Sequence, residues 1–293
     1  MQPQRHLQKV IRFLLPSLLI ALGIAHADPV AIRAVAANLT SDNAQSYSPD
    51  NGNHSNPEGA GARILKALKP DIVMIQEFNT SIPVRQWVNQ TLGENYQFTQ
   101  EAGMQIPNGI ISRFPIAESG SWDDPVLNNR EFAWARVRLP EEKDLWVVSL
   151  HLHSKGESSR ATQATALVKF IHEKIPKEAL LLIGGDFNTR TEHETCLKQL
   201  ADVVVIPGNP PADHNGISNT NAARKYPYDW VLASEPLNKT TVPLKIADQE
   251  FPNGLVFDSR VFEPLDKVSP VQQTDSGVKN MQHMAVIRDF LIP

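Results

Sequence analysis

The sequence predicts a single α/β domain of layered sheets and helices, and three observations predict it. Short strand-like runs alternate with a few helical stretches from residue 30 onward. No linker or low-complexity break divides residues 28–293, and with 41% apolar residues overall a chain of this size can bury one large core. Finally, the apolar run Leu180-Leu181-Leu182-Ile183 ends in Gly184-Gly185-Asp186-Phe187-Asn188-Thr189-Arg190, so a buried strand delivers a carboxylate and a carboxamide onto one rim.

The N-terminus is set apart from that domain. Arg5, Lys9 and Arg12 form a basic region, residues 13–24 a short apolar stretch broken by Pro16, and Ala25-His26-Ala27 a small-residue cleavage site. This pattern predicts a secretory signal peptide over 1–27, a catalytic domain over 28–293 starting near Asp28, and a periplasmic or extracellular location. A membrane anchor is the alternative, but the stretch falls short of the roughly 20 apolar residues a spanning helix needs. The whole chain carries a formal charge of −4; losing three of its 28 basic residues and none of its 32 acids moves that to −7. Such a balance gives no sign of tight nucleic-acid binding, which ordinarily shows as a basic face. Cys196 is the only cysteine, so no internal disulfide forms, and it reads as a small buried apolar residue.

Taken in order, residues 30–38 read as a strand ending on the amide of Asn38, followed over 40–61 by a Ser/Asn/Gly-rich loop too polar to pack and placed as a substrate-facing flap. Residues 62–69 have helical spacing and stop at Pro70; 71–76 form a buried strand with Glu77 at its end. Strands follow over 109–112, 132–139 and 145–152, an amphipathic helix over 158–174, and the strand over 179–184. Later strands fall near 228–232, 242–247 and 284–289.

Strand ends therefore deliver Asn38, Glu77, His151, Asp186, Asn188, Asp229 and His283. A polar residue at a strand terminus ordinarily just marks a turn, and Asp186-Phe187-Asn188 is also a simple Asx-turn sequence. Together, however, carboxylates, amides and imidazoles can hold a metal, a phosphate and a proton-transfer path. Alternation places Asp186 and Asn188 on one side of their strand, and oxygen donors on a rigid edge suit a hard divalent cation such as Mg²⁺, with Mn²⁺ or Ca²⁺ as alternatives.

These residues carry a resemblance. Asn38, Gln76-Glu77, the segment Gly109-Ile110-Ile111-Ser112-Arg113-Phe114-Pro115-Ile116, His151-Leu152, Gly185-Asp186-Phe187-Asn188, Tyr228-Asp229-Trp230-Val231 and His283, in that order, resemble the endonuclease/exonuclease/phosphatase superfamily. Its members include deoxyribonuclease I, apurinic endonucleases, sphingomyelinases and inositol polyphosphate phosphatases. The resemblance implies a four-layered α/β sandwich, two packed mixed sheets flanked by helices. It implies that Glu77 is the main Mg²⁺ carboxylate and Asn38 the amide beside it. Asp186 and Asn188 would position the attacking water and the phosphate. Asp229 would orient the catalytic His283, and His151 would contact the phosphate. His153, two residues on, competes for that last role. Arg160 and Gln163 fit a recurring family spacing, although a solvated helix face is the reading favoured for them.

The chain departs from the family pattern in two places. Met281-Gln282-His283 stands where Ser-Asp-His is common, and Thr40 where some members have another acid. His54 sits in the polar loop, and the tryptophans suit sheet packing better than base stacking. The expected activity is a secreted, metal-dependent phosphoesterase, foremost an endonuclease cutting nucleic-acid phosphodiesters and acting as a monomer without an integral membrane segment. A phosphatase or a sphingomyelinase-like lipid phosphodiesterase is the alternative, and a catalytically silent binding protein a third.

Overall fold

Two sheets, stacked face to face with helices on both outer sides, build the protein in a computed structural model that describes residues 28–40, 47, 59–246 and 248–293. The predicted signal peptide, His54 and most of the predicted flap lie outside the described residues. In chain order the first half contains β1 (Val30–Ala37), α1 (Ala60–Leu68), β2 (Ile72–Ile75), α2 (Val84–Thr91), β3 (Gln97–Gln100), β4 (Gly109–Ser112), β5 (Ile116–Trp122), β6 (Phe132–Arg138) and β7 (Asp144–His151). The second half adds α3 (Glu157–Lys174), β8 (Leu180–Asp186), α4 (Thr195–Leu200), β9 (Asp229–Ala233) and α5 (Glu235–Asn238). It closes with β10 (Thr241–Val242), β11 (Leu244–Ile246), β12 (Gln249–Phe251), β13 (Leu255–Phe257) and β14 (Ala285–Ile292).

One sheet runs β10-β14-β1-β2-β4-β3 with β13 also on β14; the other runs β5-β6-β7-β8-β9, and β11 and β12 form a separate hairpin. Both large sheets are mixed: β1–β2 and β7–β8 are parallel, their other pairs antiparallel. The strands β2, β4 and β9 are buried on both faces, which is why they read as continuous apolar runs rather than alternating ones. One core joins α1 to the space between the sheets through Val35, Ile64, Met74, Val147 and Leu182. A second, with Leu167, Ile183 and Cys196, lies beneath α3 and α4. The result is the four-layered sandwich the sequence predicts.

Several predicted elements need correction. The strand placed at 242–247 is two short strands with different partners, broken at Pro243, which has no backbone N–H to continue a ladder. The segment 40–61 is not wholly unpacked: Tyr47 is buried, its hydroxyl donating to Ala37 O at 2.8 Å and accepting from Leu39 N at 3.0 Å. Arg160 and Gln163 do not face solvent. Arg160 grips the buried Glu194 through two bonds of 2.7 Å, and Gln163 donates to Asp124. Cys196 is fully buried as expected, and burial pushes its thiol up to about 12.

Gly184 and Gly185 explain how closely the sheets approach. A Cβ on Gly184 would lie 2.5 Å from Met74 Cε and 3.0 Å from Trp230 O. At Gly185, with φ of +137°, it would lie 2.1 Å from Leu150 O and 2.6 Å from Gln76 Nε2. The glycine pair thus admits the facing sheet rather than a ligand, and it brings the β2 and β8 termini together.

Candidate active site

The ends of β1, β2, β7, β8 and β9 and the residues before β14 meet on one rim, and each sequence-predicted site residue is found there, buried. Asn38 follows β1 and Glu77 follows β2, a parallel pair, so the two side chains emerge together. Asn38 Nδ2 donates to Asp186 Oδ2 at 3.0 Å and lies 3.5 Å from Glu77 Oε1. Glu77 has φ of 49°, a left-handed backbone that is costly for a residue with a Cβ and is held by its neighbours: Phe78 N bonds Pro107 O and Gln76 Nε2 bonds Ser149 Oγ.

His151 ends β7 directly across from Asp186 in the parallel register, and its Nε2 lies 3.1 Å from Asp186 Oδ2. Burial, together with the Arg130 and His283 charges, drives its pKa well below the ordinary value. His151 is therefore neutral, with its Nε2 set against Asp186 and its Nδ1 buried without a hydrogen-bond partner. The competitor His153 is elsewhere engaged, its Nδ1 accepting from Lys155 N at 2.9 Å.

Asn188 departs from the alternation argument. β8 ends at Asp186, Asn188 has φ of 51°, and its N–H donates to Asp186 Oδ1 at 2.8 Å, so the Asx turn is real. Asn188 Nδ2 then bonds Leu152 O at 3.0 Å, which ties the turn to the end of β7.

His283 is placed by backbone. Asn221 and His283 form an isolated antiparallel bridge, Ala222 N bonds Gln282 O, and Met284 N bonds Thr220 O. Its Nδ1 lies 2.9 Å from Asp229 Oδ2 and 3.7 Å from Asp186 Oδ2. Burial alone would lower its pKa; the Asp229, Asp186 and Glu77 charges and the Asp229 hydrogen bond outweigh burial and raise it to about 9. Asp186 is pushed up to about 6 by burial, opposed by His283 and reinforced by Asp229. Two carboxylates thus bracket the His283 ring and hold it as an imidazolium. Gln282 is exposed and adds no charge.

Two contributors were missed in the sequence. Thr220 donates to Asp229 Oδ2 at 2.6 Å and accepts from Asp229 N at 2.9 Å, which fixes that carboxylate. The buried Arg130 bonds His151 O at 2.5 Å and Leu152 O at 3.1 Å, holding the end of β7, and burial lowers its pKa. A charged residue just before a buried strand was the only signal of Arg130, and Thr220 left none.

Two donor sets suit a divalent ion. Asp186, Asp229 and His283 bring ligand atoms within 4.8 Å of one another, but the shared proton builds them as an ion pair. Asn38 Oδ1 is a buried acceptor with no hydrogen-bond partner, the amide nitrogen of the same side chain lies 3.5 Å from Glu77 Oε1, and an amide oxygen and a carboxylate are donor types that a hard cation takes. A cavity of about 550 Å³ lies at the opposite ends of β8 and β9 among Ile175, Leu181, Val204 and Ser234, away from these groups.

Residues 51–247 match the model of the Endonuclease/Exonuclease/phosphatase family. The chain belongs to that family, whose members are typically phosphoester hydrolases and usually depend on a divalent metal. Similar solved structures share its fold. An endonuclease/exonuclease/phosphatase from Beutenbergia cavernae is 14% identical, with TM-score 0.60, over 89% of this chain and 72% of that one. An endonuclease/exonuclease/phosphatase from Bacteroides vulgatus is 14% identical, with TM-score 0.59, over 90% of this chain and 100% of that one. Truncated Caenorhabditis elegans TDP2 is 16% identical, with TM-score 0.54, over 89% and 97%. Comparison with curated proteins finds no significant sequence match.

Proposed function

We propose that this protein is a divalent-metal-dependent phosphodiesterase acting on nucleic acid, and that a Mg²⁺ ion is held by Glu77 and Asn38. The observation that carries this reading is the orphaned Oδ1 of Asn38, a buried side chain whose amide nitrogen borders Glu77 and bonds Asp186 of the Asp186–His283–Asp229 group. A phosphodiester is anionic and resists attack, so hydrolysis needs its oxygens neutralised, a water aligned and a charge sink for the leaving oxygen. The bound ion supplies Lewis-acid stabilisation of the developing oxyanion charge. Asp186, fixed by Asn38, His151 and the Asn188 N–H, accepts a hydrogen of the attacking water and so orients its lone pair. His283, held by Asp229 through Nδ1, presents its Nε2–H to a phosphoryl oxygen, where negative charge grows. His151, with its Nε2 3.1 Å from Asp186 Oδ2, helps to hold that carboxylate in place.

Nucleic acid is favoured over lipid by the surface. Among the described residues the exposed large hydrophobics are only Val126, Ile217 and Leu291, and no helix is long and apolar enough to cross a membrane. The test is hydrolysis of plasmid DNA, RNA, sphingomyelin vesicles and soluble phosphate monoesters, each with Mg²⁺ and with chelator. Nucleic-acid cleavage that chelator abolishes is expected. Turnover of monoesters or sphingomyelin alone overturns the substrate assignment, and turnover in chelator overturns the metal.

A further inference from the structure

Arg190 closes the turn that carries Asp186 and Asn188, and the protein invests several contacts in its position. Its N–H donates to Glu194 Oε1 at 2.6 Å, and Glu194 is itself clamped by the buried Arg160. Trp230 Nε1 bonds both Thr189 Oγ1 at 2.9 Å and Pro227 O at 3.0 Å, which fastens the Arg190 loop to the segment bearing Tyr226 and Tyr228. The guanidinium carbon lies 4.7 Å from the Tyr226 ring centre and 4.9 Å from that of Tyr228. Those rings are parallel to within 7°, and the Tyr228 ring meets His283 edge-on at 5.2 Å. These separations keep the guanidinium within about 10 Å of the His283 ring.

The charge of Arg190 is uncompensated. Arg33, Arg113, Arg136 and Arg138 each form an ion pair with a carboxylate, whereas Arg190 forms none among the described residues, and its only side-chain hydrogen bond is a long one of 3.4 Å to Ser154 O. Arg190 is exposed, so its charge is open to an anionic ligand. Two tyrosine rings lie within 5 Å of the guanidinium carbon, and the planar N–H fork that they position is the group suited to bidentate capture of a phosphate.

We propose that Arg190, seated on Tyr226 and Tyr228, binds the phosphate next to the scissile one in a nucleic-acid strand. The inference rests on the nucleic-acid reading above and deepens it: selection is for a polymer with a neighbouring phosphate rather than for an isolated phosphodiester. Arg190 is a substrate-binding residue here, with the two tyrosines as its positioning residues.

The test compares kcat/KM on a single-stranded oligonucleotide, DNA or RNA according to what the wild type cleaves, with kcat/KM on bis(p-nitrophenyl) phosphate, which has one phosphate. Arg190→Met should lower the oligonucleotide-to-small-substrate ratio roughly ten-fold, mainly through KM, and reduce the salt dependence of oligonucleotide KM by about one phosphate contact. Arg190→Lys should recover part of that ratio because the charge remains, and Tyr226→Leu should lower it by a smaller factor. Because the ratio cancels any loss of folded protein, an unchanged ratio in Arg190→Met overturns the inference. Equal losses on both substrates place Arg190 at the reacting phosphate and overturn it as well. A wild type that hydrolyses bis(p-nitrophenyl) phosphate but no oligonucleotide instead sinks the nucleic-acid reading, and the inference with it.

Discussion

Replacing Asp229 by Asn separates a working histidine–carboxylate pair from two polar residues that merely adjoin. Asp229 contacts His283 Nδ1 at 2.9 Å and is fixed by Thr220 at 2.6 Å, so the amide fits the same space while losing the charge. The bracket of carboxylates lifts His283 from 6.5 to about 9 against the effect of burial, equivalent to about 3 kcal/mol. If most of that support comes from Asp229, its loss weakens the imidazolium by up to roughly two powers of ten in rate. Removing the ring entirely, in His283→Ala, should cost about 10³–10⁴-fold, the range for a positioned acid or hydrogen-bond donor at a charged transition state. Because Asp229 acts through His283, the double variant should be no more than a few-fold worse than His283→Ala alone. The assay is kcat/KM for phosphodiester hydrolysis at saturating Mg²⁺, with circular dichroism confirming that each variant folds. Losses that multiply, giving about 10⁵-fold or more in the double variant, would refute the coupling.

Two further predictions concern stability. In chelator, His283 contributes stability that is fully present below pH 6.5 and is lost as pH rises through about 9, since the native state holds the proton more tightly than the unfolded chain. The unfolding free energy of the wild type should therefore fall by about 3 kcal/mol across that window, read as a falling melting temperature, and His283→Gln should flatten the decline; parallel curves would contradict the ion-pair assignment. The substitution Gly185→Ala should destabilise by roughly 2–5 kcal/mol, from overpacking against Leu150 O and a left-handed backbone, and more than Gly184→Ala, whose closest neighbour is the flexible end of Met74. Equal denaturant midpoints for the two variants would show that the sheet contact is not what requires Gly185.

The sequence made the strands of the buried sheets legible, because apolar runs ending on a polar residue are what a doubly covered strand looks like. Such is the case for β1, β2, β7 and β8, whose termini carry Asn38, Glu77, His151 and Asp186. The edge strand β5 was illegible: its Glu118-Ser119-Gly120-Ser121 stretch is exposed and joins the sheet through backbone bonds. Protonation states were equally hidden. Whether His151 is neutral and His283 charged depends on which carboxylates lie within 4 Å of each, and those come from strands more than 30 residues apart in sequence. The Asx turn at Asp186 showed that the plainer and the sharper readings of one motif can both hold, since the turn that ends β8 is also what fixes the Asp186 carboxylate. Arg160 was misjudged because its partner Glu194 lies beyond β8, outside any local pattern.

The central claim is that Glu77, with Asn38, holds the ion on which hydrolysis depends. Calorimetric Mg²⁺ titration of the wild type and of Glu77→Gln, paired with phosphodiester turnover on the same samples, tests it most directly. Glu77 sits on an edge turn rather than in core volume, so the variant should keep its fold while losing both the Mg²⁺ binding signal and turnover by at least about 10³-fold. Wild-type-like turnover by Glu77→Gln at saturating Mg²⁺, or an unchanged Mg²⁺ affinity, would contradict the account.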